Sequence, residues 1–102
     1  MARYKLLVIT NAVPGKEAAF NDWYDRRHIP DVLQVPGFVS AQRFRVSGES
    51  TLPGPYIAIY DLETEDPSAV LAELGARAGT AKMPLSDALD MKAVSASLLT
   101  PL

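Results

Sequence analysis

The sequence predicts an α+β domain with the element order β-α-β-β-α-β, an antiparallel sheet carrying its helices on one face. Two observations lead there. Short runs rich in strand-forming residues alternate with stretches whose apolar residues recur at three and four, so the period switches between strand and helix. Most switches fall at a turn signal: Pro14-Gly15, Pro36-Gly37, the Gly- and Pro-rich 47–55 stretch, or Asp66-Pro67. This order is the split βαβ arrangement of ferredoxin-like domains. A chain of 102 residues suits one such domain, residues 1–102, and leaves no room for a second.

Tyr4 to Thr10 is the first strand, ended by Asn11 and the Pro14-Gly15 turn. Lys16 to His28 is the first helix, because Ala19, Phe20, Trp23, Tyr24 and Arg27 repeat at helical spacing. Pro30 is expected to stop it, since its ring removes a donor and disfavours helical geometry at Ile29. Ile29 to Val35 then adds one further turn. Phe38 to Val46 is the second strand, with Phe38 and Phe44 expected on the face of Ser40 and Gln42. The loop Ser47 to Pro55 follows, a candidate lid, and then the third strand, Tyr56 to Leu62. Asp66 caps the second helix with Pro67 in its first position; Val70, Leu71, Leu74 and Ala78 form its buried stripe, and Gly79 ends it. Met83 to Asp90 reads as a short helix and Lys92 to Leu99 as the last strand.

A sheet with one wet face alternates apolar and polar residues. These strands do not. Ile57 and Ile59 oppose Tyr56, Ala58 and Tyr60, while Leu7 and Ile9 oppose Tyr4, Leu6 and Val8. Two helices cover one face only, so a second copy packed sheet to sheet is the economical cover for the other, and a homodimer is expected.

Composition excludes several classes of function. Ten Lys and Arg against twelve Asp and Glu leave no basic footprint for nucleic acid. The absence of Cys excludes disulfides, thiolate metal sites and thiol nucleophiles. No run approaches the ~20 apolar residues of a membrane helix. Leu6-Leu7-Val8-Ile9 is too short for the core of a signal peptide, so no membrane partner and a cytoplasmic location are expected.

Chemistry concentrates in Trp23-Tyr24-Asp25-Arg26-Arg27-His28-Ile29-Pro30-Asp31. His28 is the only histidine, the side chain whose ordinary pKa lies nearest neutrality. At helical spacing Tyr24, four residues before, and Asp25, three before, share its face. A carboxylate beside an imidazole fixes its tautomer, and a phenol donates to a developing oxyanion. The spacing therefore permits a general acid/base at His28, oriented by Asp25 and helped by Tyr24. It equally permits a structural reading, in which His28 caps the last carbonyls of a helix and Asp25 pairs with Arg26, Arg27 or Arg43. Arg43 needs a carboxylate such as Asp25 or Asp61, or else it binds an anionic group of a substrate. Trp23, Phe44, Tyr56 and Tyr60 are candidates for core or pocket wall, with Tyr60 a second candidate oxyanion donor. One histidine among scattered carboxylates has no metal-ligand spacing, so no metal site is expected. No nucleophile elbow or phosphate-cradling loop is present either.

Phe20-Asn21-Asp22-Trp23-Tyr24-Asp25-Arg26-Arg27-His28-Ile29-Pro30-Asp31, with Val35-Pro36-Gly37-Phe38 and Arg43-Phe44, resembles the EthD-like members of the dimeric α+β barrel superfamily. The likeness runs from about Tyr4 to Leu62. It implies a ferredoxin-like protomer whose sheet packs against that of a partner. It also implies action on flat, hydrophobic, oxygen-bearing molecules in the cleft between sheet and helices. Relatives include cyclases and decarboxylases of aromatic polyketides, cofactor-free oxygenases, lactone isomerases and haem-binding enzymes. The resemblance implies that the His of the H-I-P element, here His28, is the usual candidate acid/base in EthD-like proteins, and Tyr24 and Asp25 are carried over with it. The sequence departs from the olivetolic-acid-cyclase type, which depends on several histidines.

The expectation is a small cofactor-independent lyase, cyclase, decarboxylase or isomerase that moves protons on a hydrophobic, aromatic or polyketide-like molecule. Two alternatives stand beside it. One is a non-catalytic binding protein that uses the same pocket. The other is a haem-binding or oxygenase-type member with His28 as axial ligand.

Overall fold

A computed structural model describes residues 2–102. Four strands, β1 (Arg3–Thr10), β2 (Phe38–Arg45), β3 (Tyr56–Glu63) and β4 (Ser95–Leu99), form one antiparallel sheet in the order β2-β3-β1-β4. Between β1 and β2 run α1 (Glu17–Trp23), a π-helical turn (Tyr24–His28) and α2 (Ile29–Leu33), joined end to end. The last helix, α3 (Pro67–Arg77), lies between β3 and β4; the Asp66 carboxylate caps it by accepting from the Ala69 N–H at 3.1 Å. The ferredoxin-like α+β architecture is the predicted one.

Register decides which side chains meet the helices. Leu6 stands opposite Tyr60, and Val8 opposite Ala58. With Leu62 these join Phe20, Tyr24, Val32, Val35 and Val70 in one core between sheet and helices. The opposite face carries Leu7, Ile57 and Ile59, and there Phe44 remains 44% exposed.

Four local expectations are corrected. The first concerns β2, where a bulge separates Phe38, opposite Leu62, from Ser40, opposite Asp61. One extra residue flips the alternation, so Phe38 enters the core while Phe44 stays on the open face. The second concerns Pro30, which does not stop the helix. In an α-register its ring would meet the Arg26 carbonyl and leave it without a donor. Here the Ile29 N–H instead reaches the Tyr24 carbonyl five residues back, a wider turn that lets the chain pass through Pro30 into α2.

The third concerns residues 83–90, which form no helix. They run as a strap pinned by bridges between Ala78 and Met83 and between Ala12 and Leu89, and by the Val13 N–H on the Ala88 carbonyl at 2.8 Å. Fourth, β4 begins only at Ser95, after a 3-10 turn over Met91–Ala93. Gly37 sets the approach of β2 to α3. Its φ is 107°, and a Cβ there would lie 2.6 Å from Val70 Cγ2, so a larger residue would collide as well as strain the chain.

Candidate functional site

Between the helix-facing side of the sheet and the helices lies a cavity of about 230 Å³. Its floor is Leu6, Val8 and Tyr60; Trp23, Tyr24 and His28 form one wall, and Leu74 of α3 the other. The strap supplies Met83, Leu85 and Leu89, and the 3-10 turn after it supplies Met91. Since ~150 Å³ of apolar cavity holds benzene, this one has room for a single substituted ring. A wider hollow of about 550 Å³ lies among Arg3, Lys5, Asp61 and Glu63. It is lined by exposed ion pairs, such as Arg3–Glu63 at 2.9 Å, and holds no buried titratable group. The smaller cavity is therefore the candidate site.

The π-turn builds its chemical wall. In an i→i+5 turn, residues four and five apart become neighbours. The Trp23 indole accordingly stacks on the His28 ring at 4.7 Å, and Tyr24 meets that ring edge-on at 5.0 Å. Asp25, three residues before His28, is turned away. Its carboxylate is largely exposed and accepts from Arg43 Nη1 at 2.9 Å, so the predicted orienting of His28 by Asp25 gives way to the alternative pairing with Arg43. Nor does His28 cap a helix end, because the helix continues through it.

His28 Nδ1 is buried and has no hydrogen-bond partner. Burial holds the imidazole pKa down at about 4, with Asp31 raising it and Arg43 opposing the proton further. At neutral pH the ring is uncharged. The Tyr60 hydroxyl donates to that of Tyr24 at 3.4 Å, which leaves the Tyr24 proton for another acceptor. Burial raises the pKa of both phenols above the ordinary tyrosine value, so both are O–H donors.

The remaining sequence candidates lie elsewhere. Arg43 is held under α1 and does not line the cavity, so it has no reach to an anionic group bound there. Tyr56 packs on Phe20 at 5.0 Å inside the core, four residues along β3 from Tyr60, and does not line the cavity. Phe44 is on the far side of the sheet, where β2 alternation puts it. The 47–55 loop is not the lid. Gly54 presses on the Thr10 carbonyl, 2.4 Å from where a Cβ would sit, and the loop gathers beside Asn11 instead.

The strap takes the lid's place, and sequence reasoning missed it. Its signal was the spacing of Met83 and Leu85, and of Leu89 and Met91, by two rather than by three or four. Two side chains of the helical stretch that carries His28 hold it and its approach: Trp23 Nε1–H donates to the Pro84 carbonyl at 3.1 Å, and Arg27 Nη2–H to that of Ala81, just before the strap, at 3.1 Å.

Among the described residues no group of three metal-ligating side chains converges. Haem does not fit either, because a tetrapyrrole carries four rings and the cavity has room for one.

Fold and cavity together define a ferredoxin-like α+β protein with an apolar, histidine-bearing cleft between sheet and helices. No protein-family model matches the sequence, and no curated protein does. Solved structures do. The chain is similar to a candidate monooxygenase from Shewanella loihica PV-4, with a TM-score of 0.63 and 19% identity over 99% of this chain and 95% of that one. It is also similar to an ethyl tert-butyl ether D (EthD) family protein from Bacillus halodurans C-125, with a TM-score of 0.56 and 16% identity over 98% and 99% of the two chains. The shared fold spans the whole domain.

Proposed function

We propose that this chain is an EthD-like homodimer that transfers protons, without a cofactor, on a small uncharged ring compound bearing oxygen. The observation that carries this reading is the neutral His28 imidazole in the wall of an apolar cavity. The imidazole takes a proton from an acidic C–H or O–H of the bound molecule and becomes an imidazolium. The electron pair left behind moves onto the substrate oxygen, where the Tyr24 hydroxyl donates to it, with Tyr60 behind. Returning the proton to a different atom completes an isomerisation. The walls carry no charged side chain, which favours a substrate that enters without charge.

The test is solvent-deuterium incorporation into an enolisable single-ring ketone, cyclohexanone, followed by NMR. His28→Ala is expected to slow it by about 10²–10⁴-fold. Equal rates in wild type and variant would remove His28 from the mechanism. Tight binding without exchange would make the chain a binding protein. A second reading, oxygenation of the enolate by dioxygen, is favoured by the likeness to a candidate monooxygenase. It is separated by whether oxygen is consumed.

A further inference from the structure

A largely buried cation stands behind the cavity wall, and the proton-transfer chemistry above makes no use of it. The Arg43 side chain is only 16% exposed, and its Nε is buried without an acceptor. Its two terminal nitrogens are fixed, one by Asn21 Oδ1 at 2.7 Å from α1 and one by Asp25 Oδ1 at 2.9 Å from the π-turn. So held, the guanidinium lies 4.3 Å from the centre of the Tyr24 ring, nearer than to Phe20 at 5.6 Å or Tyr56 at 5.9 Å.

We propose that Arg43 is a positioning residue for this site: Asn21 and Asp25 aim its charge through the Tyr24 ring, so that negative charge arising on a ligand oxygen at the Tyr24 hydroxyl is favoured. The physical case has two parts. Pairing with the exposed Asp25 alone does not require an arginine to leave water, and burying one with an unsatisfied Nε is costly. A charge inside low-dielectric packing also acts over several ångströms with little screening. It has the same sense on every group nearby, easing proton loss from Tyr24 and opposing a proton on His28. The other groups bearing on the site are Asp31 from α2, itself bonded to Arg27 at 2.7 Å, and the neutral Tyr60 from β3. The side chains that α3 and the strap present to the cavity are apolar. The inference rests on the proton-transfer reading only for its consequence on turnover.

The probe is 4-nitrophenol, a single ring whose absorbance reports its ionisation. Its midpoint is measured while bound to the intact, ligand-free-purified protein. Arg43→Met is expected to raise the bound midpoint by about one pH unit relative to wild type. Arg43→Lys keeps the charge and is expected to hold it near the wild-type value. Asp25→Asn, at an exposed position, removes a neutralising charge and is expected to lower it by a smaller amount.

Equal midpoints in wild type and Arg43→Met overturn the proposal, as does failure of the wild type to bind the probe. Should Arg43→Met not fold, an unchanged or raised midpoint in Asp25→Asn overturns it alone. Midpoints that move as stated, with His28→Ala exchanging deuterium at the wild-type rate, leave Arg43 in place and sink the proton-transfer reading instead.

Discussion

Lowering the pH from about 7 to about 4.5 is expected to strip the folded protein of roughly 2 kcal/mol through His28 alone. The imidazole has a pKa of about 4 in the fold, against 6.5 for an unburied histidine, because burial disfavours the charged ring. The unfolded chain takes up the proton as pH falls through 6.5, and the folded chain does so only near 4. Between those values the unfolded state holds more protons, so stability falls with pH across that window and levels off below it. Each pH unit of difference is worth about 1.4 kcal/mol, and the partial exposure of the ring trims the total. The Asp61 and Glu73 carboxyls, held low by hydrogen bonds from Lys5 and Arg77, lose their contribution mostly below this window. Urea unfolding at the two pH values, at fixed protein concentration, measures the loss in wild type and in His28→Phe. Phenylalanine keeps a ring against Trp23 and does not titrate. Equal losses in the two proteins would refute the reasoning, because the burial of His28 would then have no bearing on its proton.

Two further outcomes are expected. Pro30→Ala restores a backbone donor and a helix-favouring residue, so the helix gains stability, by about 1 kcal/mol or more, while the π-turn relaxes toward the α-register. The Trp23–His28 stack is then lost, seen as a changed near-ultraviolet circular dichroism spectrum and at least tenfold slower deuterium exchange; an unaltered spectrum would count against the role given to Pro30. Ile59→Glu places a charge amid the apolar open face, opposite Leu7 and Gln42, and is expected to turn a dimer into a monomer in sedimentation, whereas no change would place any subunit contact elsewhere.

The element order was legible because β-rich runs such as Tyr56–Leu62 are long and cleanly bounded, and the Asp66-Pro67 capping pair announced α3. The errors share one cause: a single local event that resets the period. One residue at Val39 reverses the face of Phe38, and nothing in its side chain says so. Pro30 reads as a terminator under α-helical rules, yet a wider turn absorbs it, and that same widening exchanges Asp25 for Trp23 beside His28. The strap was mistaken for a helix because its apolar residues are dense, while the bridges to Ala78 and Ala12 that keep it extended are long-range contacts. Trp23, Tyr24, His28 and Tyr60, singled out from chemistry and spacing, line the cavity; that Met83, Leu85 and Met91 line it too depended on tertiary contacts that spacing does not reveal.

The indole stacked on His28 belongs to the one tryptophan in the chain. Its intrinsic emission therefore comes from the wall of the cavity and from nowhere else. A ligand that enters, a proton that lands on the neighbouring imidazole, or a strap that lets go of the indole N–H would each alter the brightness or colour of that light, so the protein carries its own label-free optical gauge.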